Sequence, residues 1–420
     1  MIANIVAAAQ DSNSLVRDFD AICDTGGRFA GTESETKARA YLGRRLAEIG
    51  GREPFAHGVD YLGWTRGPAR LERLDGAGGT PATFDCVSLV RSPVTGPDGL
   101  VAELIDLGRG TEDDFKARAA DIPGRIVMVC HEYMFSPETI HRRRKYQWAL
   151  EHGAAGFLIA CHVPGAGPVT GSSGATPERG IPAAGIGAET AEALAHGGPA
   201  KLKLAIAAEQ KPTRTENLIL DLPGKSPEWV VLSAHIDGHH LAESAMDNAT
   251  GLAAALSVAE AMAPHMHEMA RGLRVAFFTI EEWALAGSAD YVDGLTEAER
   301  AAIKIDVNLD TIAGSPNLTA LTSDIARMVT WLQATAAGHG MTLGAHRPLM
   351  ANSDHYNFAR HGIPATRLVA GFDERDSDIK YVLTPQDTRA RINEADFRAA
   401  TGLTAALVAE ACSAETLELR

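Results

Sequence analysis

Three short apolar runs, each ending in a histidine or an acid, constrain this chain more than any other feature of its sequence. The first covers residues 229–234 and leads into His235, the second leads into Glu281 and Glu282, and the third leads into Asp310. Apolar runs of this length are typical of buried strands. In an open α/β sheet, ligands bind beyond the carboxyl ends of the strands. The pattern therefore predicts a mostly parallel sheet with a site at one edge.

The acids at these strand ends favour a metal site over a network of ion pairs. A further carboxylate, Asp247, follows His235 and Asp237 after ten more residues. A single histidine at a strand end is more often a hydrogen-bonded structural residue, but here the pattern occurs three times. Burying so many carboxylates together is costly unless a cation neutralises them. We therefore expect these side chains to hold a metal ion.

Composition excludes several classes of partner and points to a compartment. The chain has 420 residues and a formal net charge of −15, which argues against binding to nucleic acid or to an anionic membrane. Its 5 cysteines are scattered, as expected of reduced thiols. No run of residues is apolar for long enough to span a bilayer, and the first residues do not read as a signal peptide. We expect a cytoplasmic protein, and a homo-oligomer remains open.

The middle of the chain differs in composition and in the length of its apolar runs from its two ends. Between residues 57 and 212, glycine and proline are frequent and the strand-like runs are short. This predicts a smaller, β-rich module, 57–212, inserted between an N-terminal part, 1–56, and the remainder, 213–420, of one main domain. Within the insert, 140–152 reads as a helix. We interpret its four consecutive basic residues, 142–145, as a solvated helix face.

Helical spacing is clear near both ends of the chain. Apolar residues recur with helical period between residues 13 and 50, in 325–337 and in 391–412. A loop containing Arg28 between glycines divides the first of these regions, and Ser34 is the expected cap of the helix that follows. An arginine between glycines is a weak cue for phosphate binding, and we favour a plain loop.

The motifs taken together resemble those of the co-catalytic zinc peptidases, which include bacterial leucyl aminopeptidases and the glutamate carboxypeptidase II type. The matching segments are His235-Ile236-Asp237, Asp247 to Gly251, Glu281-Glu282, Asn308-Leu309-Asp310 and Ser353-Asp354-His355. The resemblance implies a zinc-exopeptidase-like α/β fold, with a mixed, mostly parallel sheet flanked by helices. More weakly, the insert resembles the protease-associated domain that many members carry at this point.

The resemblance also implies a set of metal ligands. Asp247 would bridge two zinc ions, because a carboxylate has two oxygens. His235 and Asp310 would complete the shell of one ion, and Glu282 would bind the other. Nitrogen and carboxylate donors with an open position suit catalytic zinc.

Two further acids would act on the chemistry without binding an ion. Asp237 would hold the second nitrogen of the His235 imidazole and so fix its tautomer. Glu281 would be the general base, taking a proton from a water activated by the metal as that water attacks a carbonyl.

One position departs from the family. A histidine normally precedes the Thr-Pro-x-Asp-Thr turn and binds the second ion, whereas this chain has Leu383 there. The protein could work with one ion, or it could use a substitute ligand. His239 and His240 are the first choices for that substitute, and His355 comes after them. In a third interpretation the chain is a non-catalytic relative, which the retention of Glu281 argues against.

The function implied by the resemblance is hydrolysis. We expect a metal-dependent hydrolase of peptide or related amide bonds, of the aminopeptidase-type exopeptidase class, with one or two zinc ions and a peptide or small amide as substrate. The alternative is a catalytically silent, metal-binding relative that acts as a binding protein. A third interpretation, the glutaminyl cyclase branch of the same fold, uses a single zinc ion.

Overall fold

The computed structural model of the chain describes residues 1–75, 81–176, 178–196 and 200–419. These residues group into two compact units. The larger, named here the main unit, consists of Met1–Tyr61, Arg214–Ile379 and Asp387–Arg420. The smaller, named the insert unit, consists of Leu62–Thr213 and Lys380–Gln386. The expected insert, 57–212, did not include the short second segment of the insert unit.

The described residues form the following regular elements. The helices are α1 (Ile2–Gln10), α2 (Asn13–Cys23), α3 (Glu33–Gly50), α4 (Glu112–Ala117), α5 (Arg142–Glu151), α6 (Ala188–Ala195), α7 (Thr250–Met262), α8 (Ala286–Gly294), α9 (Glu297–Ala302), α10 (Ala326–Gly338), α11 (His355–Ala359) and α12 (Glu394–Ser413). The strands are β1 (Phe55–Arg73), β2 (Ala82–Phe84), β3 (Cys86–Ser88), β4 (Leu100–Asp106), β5 (Ile126–Cys130), β6 (Gly156–Ala160), β7 (Ala183–Ile186), β8 (Lys201–Leu222), β9 (Trp229–His235), β10 (Gly272–Phe278), β11 (Ile303–Leu309), β12 (Leu318–Thr322), β13 (Gly344–His346) and β14 (Ala365–Ala370).

The sheet of the main unit has the order β13-β12-β14-β11-β9-β10-β8. Strands β10, β9, β11 and β14 pair in parallel. The end of β8 pairs antiparallel with β10, and β12 pairs antiparallel with β14 and parallel with β13. The prediction of a mixed, mostly parallel sheet is therefore confirmed. Because β9, β10 and β11 run in the same direction, their carboxyl ends meet at one edge, where His235 ends β9 and Asp310 follows β11.

Helices cover this sheet and form much of the core. Helix α7 packs against α1, α2 and α12 and against β9. It is rich in alanine, and 11 of its 13 residues are buried. A helix that is apolar on all sides belongs in the interior of a protein. Since α7 begins directly after the Asp247 segment, its packing fixes that segment against the sheet.

The helices expected near the two ends of the chain are confirmed, with a correction at one cap. Thr32, not Ser34, caps α3, because the Thr32 hydroxyl accepts a hydrogen bond from the Glu35 amide. The Ser34 hydroxyl instead accepts a hydrogen bond of 2.8 Å from the Arg28 amide. Among the described residues, no helix combines the length and the apolar character needed to cross a bilayer.

The strands of the insert unit pair with one another. Strands β4, β5, β6 and β7 pair in parallel, β3 pairs antiparallel with β7, and the start of β8 pairs antiparallel with β4. Helix α5 forms where a helix was expected, but the prediction of a solvated basic face is wrong. Arg142 and Lys145 are buried. The Lys145 ammonium pairs with Glu132 at 2.5 Å and donates to the carbonyl of Cys130.

Candidate metal centre

His235 is the residue around which the carboxylates gather at the edge of the main sheet. It is the last residue of β9 and is 1% exposed. Its Nε2 lies 3.0 Å from Asp247 Oδ1 and 3.6 Å from Asp310 Oδ1. Its Nδ1 lies 2.8 Å from the main-chain carbonyl oxygen of Asp237. That contact orients the ring, so that Nε2 is directed towards the acids.

Three side chains converge closely enough to share one ion. One donor atom each from His235, Glu281 and Asp310 lies within 4.8 Å of the others. These residues follow three neighbouring strands, which explains why they meet. Asp247, Glu282 and His239 are not part of this group among the described residues. One imidazole and several carboxylates form a donor set that suits zinc.

The two adjacent glutamates lie beyond the end of the second strand, in a short turn. Strand β10 ends at Phe278, and Glu281, Glu282 and Trp283 form a short 3-10 turn. The turn follows Ile280, whose φ of 48° is left-handed. The turn gives the two glutamates their separate positions.

Asp237 holds this turn by its carboxylate. Its Oδ1 accepts a hydrogen bond of 2.9 Å from the Glu281 amide, and its Oδ2 accepts one of 3.2 Å from the Glu282 amide. The expected contact with the second nitrogen of His235 is made by the main-chain carbonyl of Asp237, so the prediction named the wrong group of that residue. The Asp237 carboxylate is therefore placed to orient both glutamates.

Asp247 lies in an irregular turn, Ala245–Ala249, immediately before α7. The peptide bond between Asp247 and Asn248 is cis. Asn248 connects this turn to the third strand, because its amide nitrogen donates to the carbonyl of Leu309 at 2.8 Å. On the other side, Asp387 Oδ1 accepts a hydrogen bond of 2.7 Å from the Met246 amide. The turn is thus held next to the end of β11.

Arg367 is a contact of the site that the sequence did not reveal. It lies on β14 and places Nη2 3.1 Å from Asp310 Oδ1. The Thr311 hydroxyl donates to the same oxygen at 2.9 Å. Burial opposes ionisation of Asp310, but Arg367 and His235 outweigh it and lower the pKa of this carboxyl. Asp310 therefore stays ionised, as a metal ligand must.

The remaining groups of the site carry more negative charge than the protein neutralises. Burial raises the pKa of Glu281 well above its usual value, and burial raises the pKa of Asp237 to about 8. Burial disfavours protonated His235, but Glu281, Asp247 and Asp310 together raise the pKa of this imidazole well above its usual value. In the absence of an ion, Glu281, Asp237 and the His235 imidazole thus favour their protonated forms, whereas Asp310 stays ionised. A divalent cation would take the place of those protons.

His239 is a second buried histidine that lies next to an acid. It is 1% exposed, and within the described part of the chain neither ring nitrogen has a hydrogen-bond partner. Its Nε2 lies 3.6 Å from Asp387 Oδ2, which also lacks a hydrogen bond there. His240 is exposed and contacts the ring of Phe29. Leu383 belongs to the insert unit, where its carbonyl accepts a hydrogen bond from Thr170.

His355 has a different environment. It is fully buried, and its ring nitrogens have no hydrogen-bond partner among the described residues. Burial and the nearby Arg367 lower the pKa of this imidazole to about 3. Its ring is therefore neutral, and among the described residues it forms no ion pair with an acid, unlike His239, which lies next to Asp387.

Two protein families match separate parts of the chain. The profile of peptidase family M28 matches residues 217–408, and that of the PA domain matches residues 90–194. The first match contains every candidate metal ligand and both candidate catalytic acids. The second lies within the insert unit.

Similar proteins of known name or structure cover most of the chain. Aminopeptidase YwaD of Bacillus subtilis (strain 168) is 27% identical over 353 residues, which are 83% of this chain and 74% of that protein. The structure of a peptidase M28 precursor from Shewanella amazonensis SB2B matches with a TM-score of 0.84 at 22% identity, over 100% of this chain and 97% of that one. The structure of BSAP, a zinc aminopeptidase from Bacillus subtilis, matches with a TM-score of 0.74 at 23% identity, over 99% and 97%. The two structures share the fold of this chain.

Proposed function

We propose that this chain is a metallopeptidase of family M28 with an inserted PA domain, and that it removes N-terminal residues from peptides with zinc as its cofactor. One observation carries the proposal: donor atoms of His235, Glu281 and Asp310 lie within 4.8 Å of one another at the edge of the sheet. YwaD and BSAP, two of the similar proteins, are named aminopeptidases, which supports cleavage at the N-terminal end of the substrate.

The donor set fits the proposed ion. His235, Asp247 and Asp310 supply one nitrogen and two carboxylates, and zinc in catalytic sites commonly has three protein ligands of these kinds. Their charges exceed what Arg367 offsets, so a divalent cation would relieve the remaining repulsion. When bound, zinc supplies Lewis acidity that polarises the scissile carbonyl and makes a water molecule more acidic.

Glu281 has the proton-transfer role in this proposal. A carboxylate oxygen of Glu281 lies within 4.8 Å of donor atoms of His235 and Asp310. A base at this distance can contact a water molecule bound between these residues. It takes the proton of the attacking water and passes it to the departing amine. Asp237 keeps the turn of Glu281 in place through the two amide hydrogen bonds. The excess of acids also favours a substrate with a free, positively charged N-terminus.

The proposal includes two unequal ion sites. One has His235, Asp247 and Asp310, and the other has Asp247 and Glu282 but no histidine at position 383. His239 is the proposed substitute, because its ring nitrogens and Asp387 Oδ2 make no hydrogen bonds within the described residues. We expect the first site to hold its ion tightly and the second to hold one weakly.

We also propose that the protein is located in the cytoplasm, which is a reducing compartment. All five cysteines are unpaired thiols, and they are buried or half-buried. Thiols in such numbers without a disulfide are usual where glutathione keeps cysteines reduced.

Hydrolysis of paired substrates tests the function. The purified protein is assayed with an aminoacyl chromogenic amide and with the same amide acetylated on its nitrogen, before and after dialysis against a chelator. We expect turnover of the free amine, loss of turnover on chelation and recovery with zinc. Equal turnover of the acetylated amide would contradict an aminopeptidase, and turnover that survives chelation would contradict a metal-dependent one.

A further inference from the structure

Arg28 is a buried cation that the proposed chemistry does not use. It is 0% exposed, within the main unit. Its guanidinium donates four hydrogen bonds, and all of them end on main-chain carbonyls. The acceptors are Ile236 at 2.9 Å, Glu243 at 2.8 Å, Ser244 at 2.6 Å and Gly26 at 3.2 Å. A guanidinium committed to carbonyls has no face left for a phosphate, so the interpretation as a loop residue is the better one.

Three of these carbonyls belong to a single loop of the metal centre. Residues 236–244 connect His235 with the turn that carries Asp247. Ile236 directly follows the histidine, and Ser244 directly precedes the turn. Arg28 thus contacts both ends of the loop. The planar fork of a guanidinium can hold several acceptors in fixed directions at once.

The contact between the Arg28 segment and this loop leaves no room for adjustment. A Cβ added to Gly27 would lie 2.0 Å from the carbonyl oxygen of His239, and one added to Gly238 would lie 2.6 Å from the Ser244 hydroxyl. The Ser244 hydroxyl also accepts from the amide of His239 and donates to its carbonyl, each at 3.0 Å. The loop is therefore closely packed, both within itself and against the Gly27-Arg28 segment.

We propose that Arg28 is a positioning residue of the metal centre, which holds the 236–244 loop so that His235 and Asp247 face one ion. Burying a guanidinium is costly, and its hydrogen bonds to carbonyls offset that cost only in this one loop conformation. Arg28 touches no reacting group, so its effect reaches the ion through the loop. This inference rests on the proposed function, because it requires the site to bind metal.

Metal affinity measured without substrate tests the inference. Apo-protein is prepared with a chelator, and Zn²⁺ affinity is measured by competition with a chromophoric chelator. The visible spectrum of Co²⁺-loaded protein reports ligand geometry. The variants are Arg28→Gln and Arg28→Lys. The control is Arg271→Gln, because Arg271 is 5% exposed and donates to the carbonyls of Ala411 and Ala414, but precedes β10 at the opposite end of the strands.

We expect Arg28→Gln to weaken Zn²⁺ binding by about ten- to a hundredfold, the range for residues that support metal ligands, and to change the Co²⁺ spectrum. Arg28→Lys should recover part of the affinity, since an ammonium can still donate to some of the carbonyls. Arg271→Gln should lower the melting temperature and leave both readouts unchanged.

Three results would overturn the inference. In the first, folded Arg28→Gln binds Zn²⁺ as the wild type does. In the second, neither Arg28 variant shows a cooperative thermal transition, so Arg28 serves folding as a whole. In the third, Arg271→Gln loses as much affinity as Arg28→Gln, so general destabilisation is the cause. A wild type that binds neither ion would instead overturn the proposed cofactor, and the inference with it.

Discussion

Two buried histidines, one in each unit, have opposite electrostatic environments. His131 of the insert unit is 4% exposed and His235 of the main unit is 1% exposed. Burial and the nearby Arg142 guanidinium hold the pKa of His131 well below its usual value. Burial acts in the same direction on His235, but Glu281 and Asp247 outweigh it and raise the pKa of this imidazole well above its usual value.

The difference shows that burial alone does not make a histidine a metal ligand. In the insert unit the buried cation Lys145 is neutralised by Glu132, at 2.5 Å. Among the described residues no acid surplus remains near His131, so no excess negative charge favours a cation there. In the main unit the acids around His235 exceed the cations. We therefore propose the metal ion at His235, where it would lower the electrostatic energy, and not at His131.

The largest effect is expected from removing the base of the main unit. Glu281→Gln keeps the size and polarity of the side chain but cannot accept a proton, so the rate should fall by about a hundredfold to ten-thousandfold. Metal content should not change, because Glu281 is not proposed as a ligand. Turnover and bound zinc are measured on the same preparation. Near-normal turnover would contradict the role of Glu281, and loss of zinc would make it a ligand.

Exchanging the two histidines for alanine tests the comparison directly. His235→Ala removes the nitrogen ligand and should weaken Zn²⁺ binding by more than about a hundredfold, the upper range for residues that only support ligands. His131→Ala is the matched control and should leave Zn²⁺ affinity unchanged. Both are measured by chelator competition. Equal losses in the two variants would refute the assignment of the cation to the main unit.

In the insert unit, loss of a buried charge should lower the free energy of unfolding and leave the metal content unchanged. Lys145→Met removes the partner of Glu132 and leaves two carbonyls without their donor. We expect the free energy of unfolding to fall by about 3 kcal/mol, the lower end for breaking a buried pair, since Arg109 still contacts Glu132. Urea unfolding measures this change.

The control for Lys145 is Lys116→Met. Lys116 pairs with Glu112 on an exposed helix surface, and its loss should leave the free energy of unfolding unchanged. Bound zinc should be the same in both variants. If Lys145→Met lowered the metal content of folded protein, the conclusion that this buried charge serves stability and not metal binding would be wrong.

The smallest expected effect concerns how many cations the main unit holds. We expect one zinc ion per chain as purified and a second that requires added metal, because Leu383 cannot bind an ion. Elemental analysis after dialysis measures this content. If the wild type already keeps two ions, a substitute ligand exists. His239→Ala should then lose one of them, whereas His355→Ala should lose neither.

Local sequence determined the elements that carry the site. The apolar runs that end at His235 and before Asp310 could be recognised as strands because a buried strand needs only a few consecutive apolar residues. Parallel pairing followed from the way the acids recur at the ends of these runs. Helices α2, α3, α10 and α12 were predictable for a similar reason, since helical period is a property of neighbouring residues. The candidate ligands were therefore named before their positions were known.

Only the tertiary structure decided which atoms of these residues meet. Arg28 donates to the carbonyl of Ile236, which is 208 positions away, and the Asp237 carboxylate accepts from an amide 44 positions away. The sequence left Arg28 as a loop residue and gave the contact with His235 to the Asp237 carboxylate. It also predicted no strand as long as β1 or β8, since glycines and Pro68 interrupt β1 and Pro212 interrupts β8. Such contacts depend on how distant segments pack, and the order of residues along the chain carries no local signal of that packing.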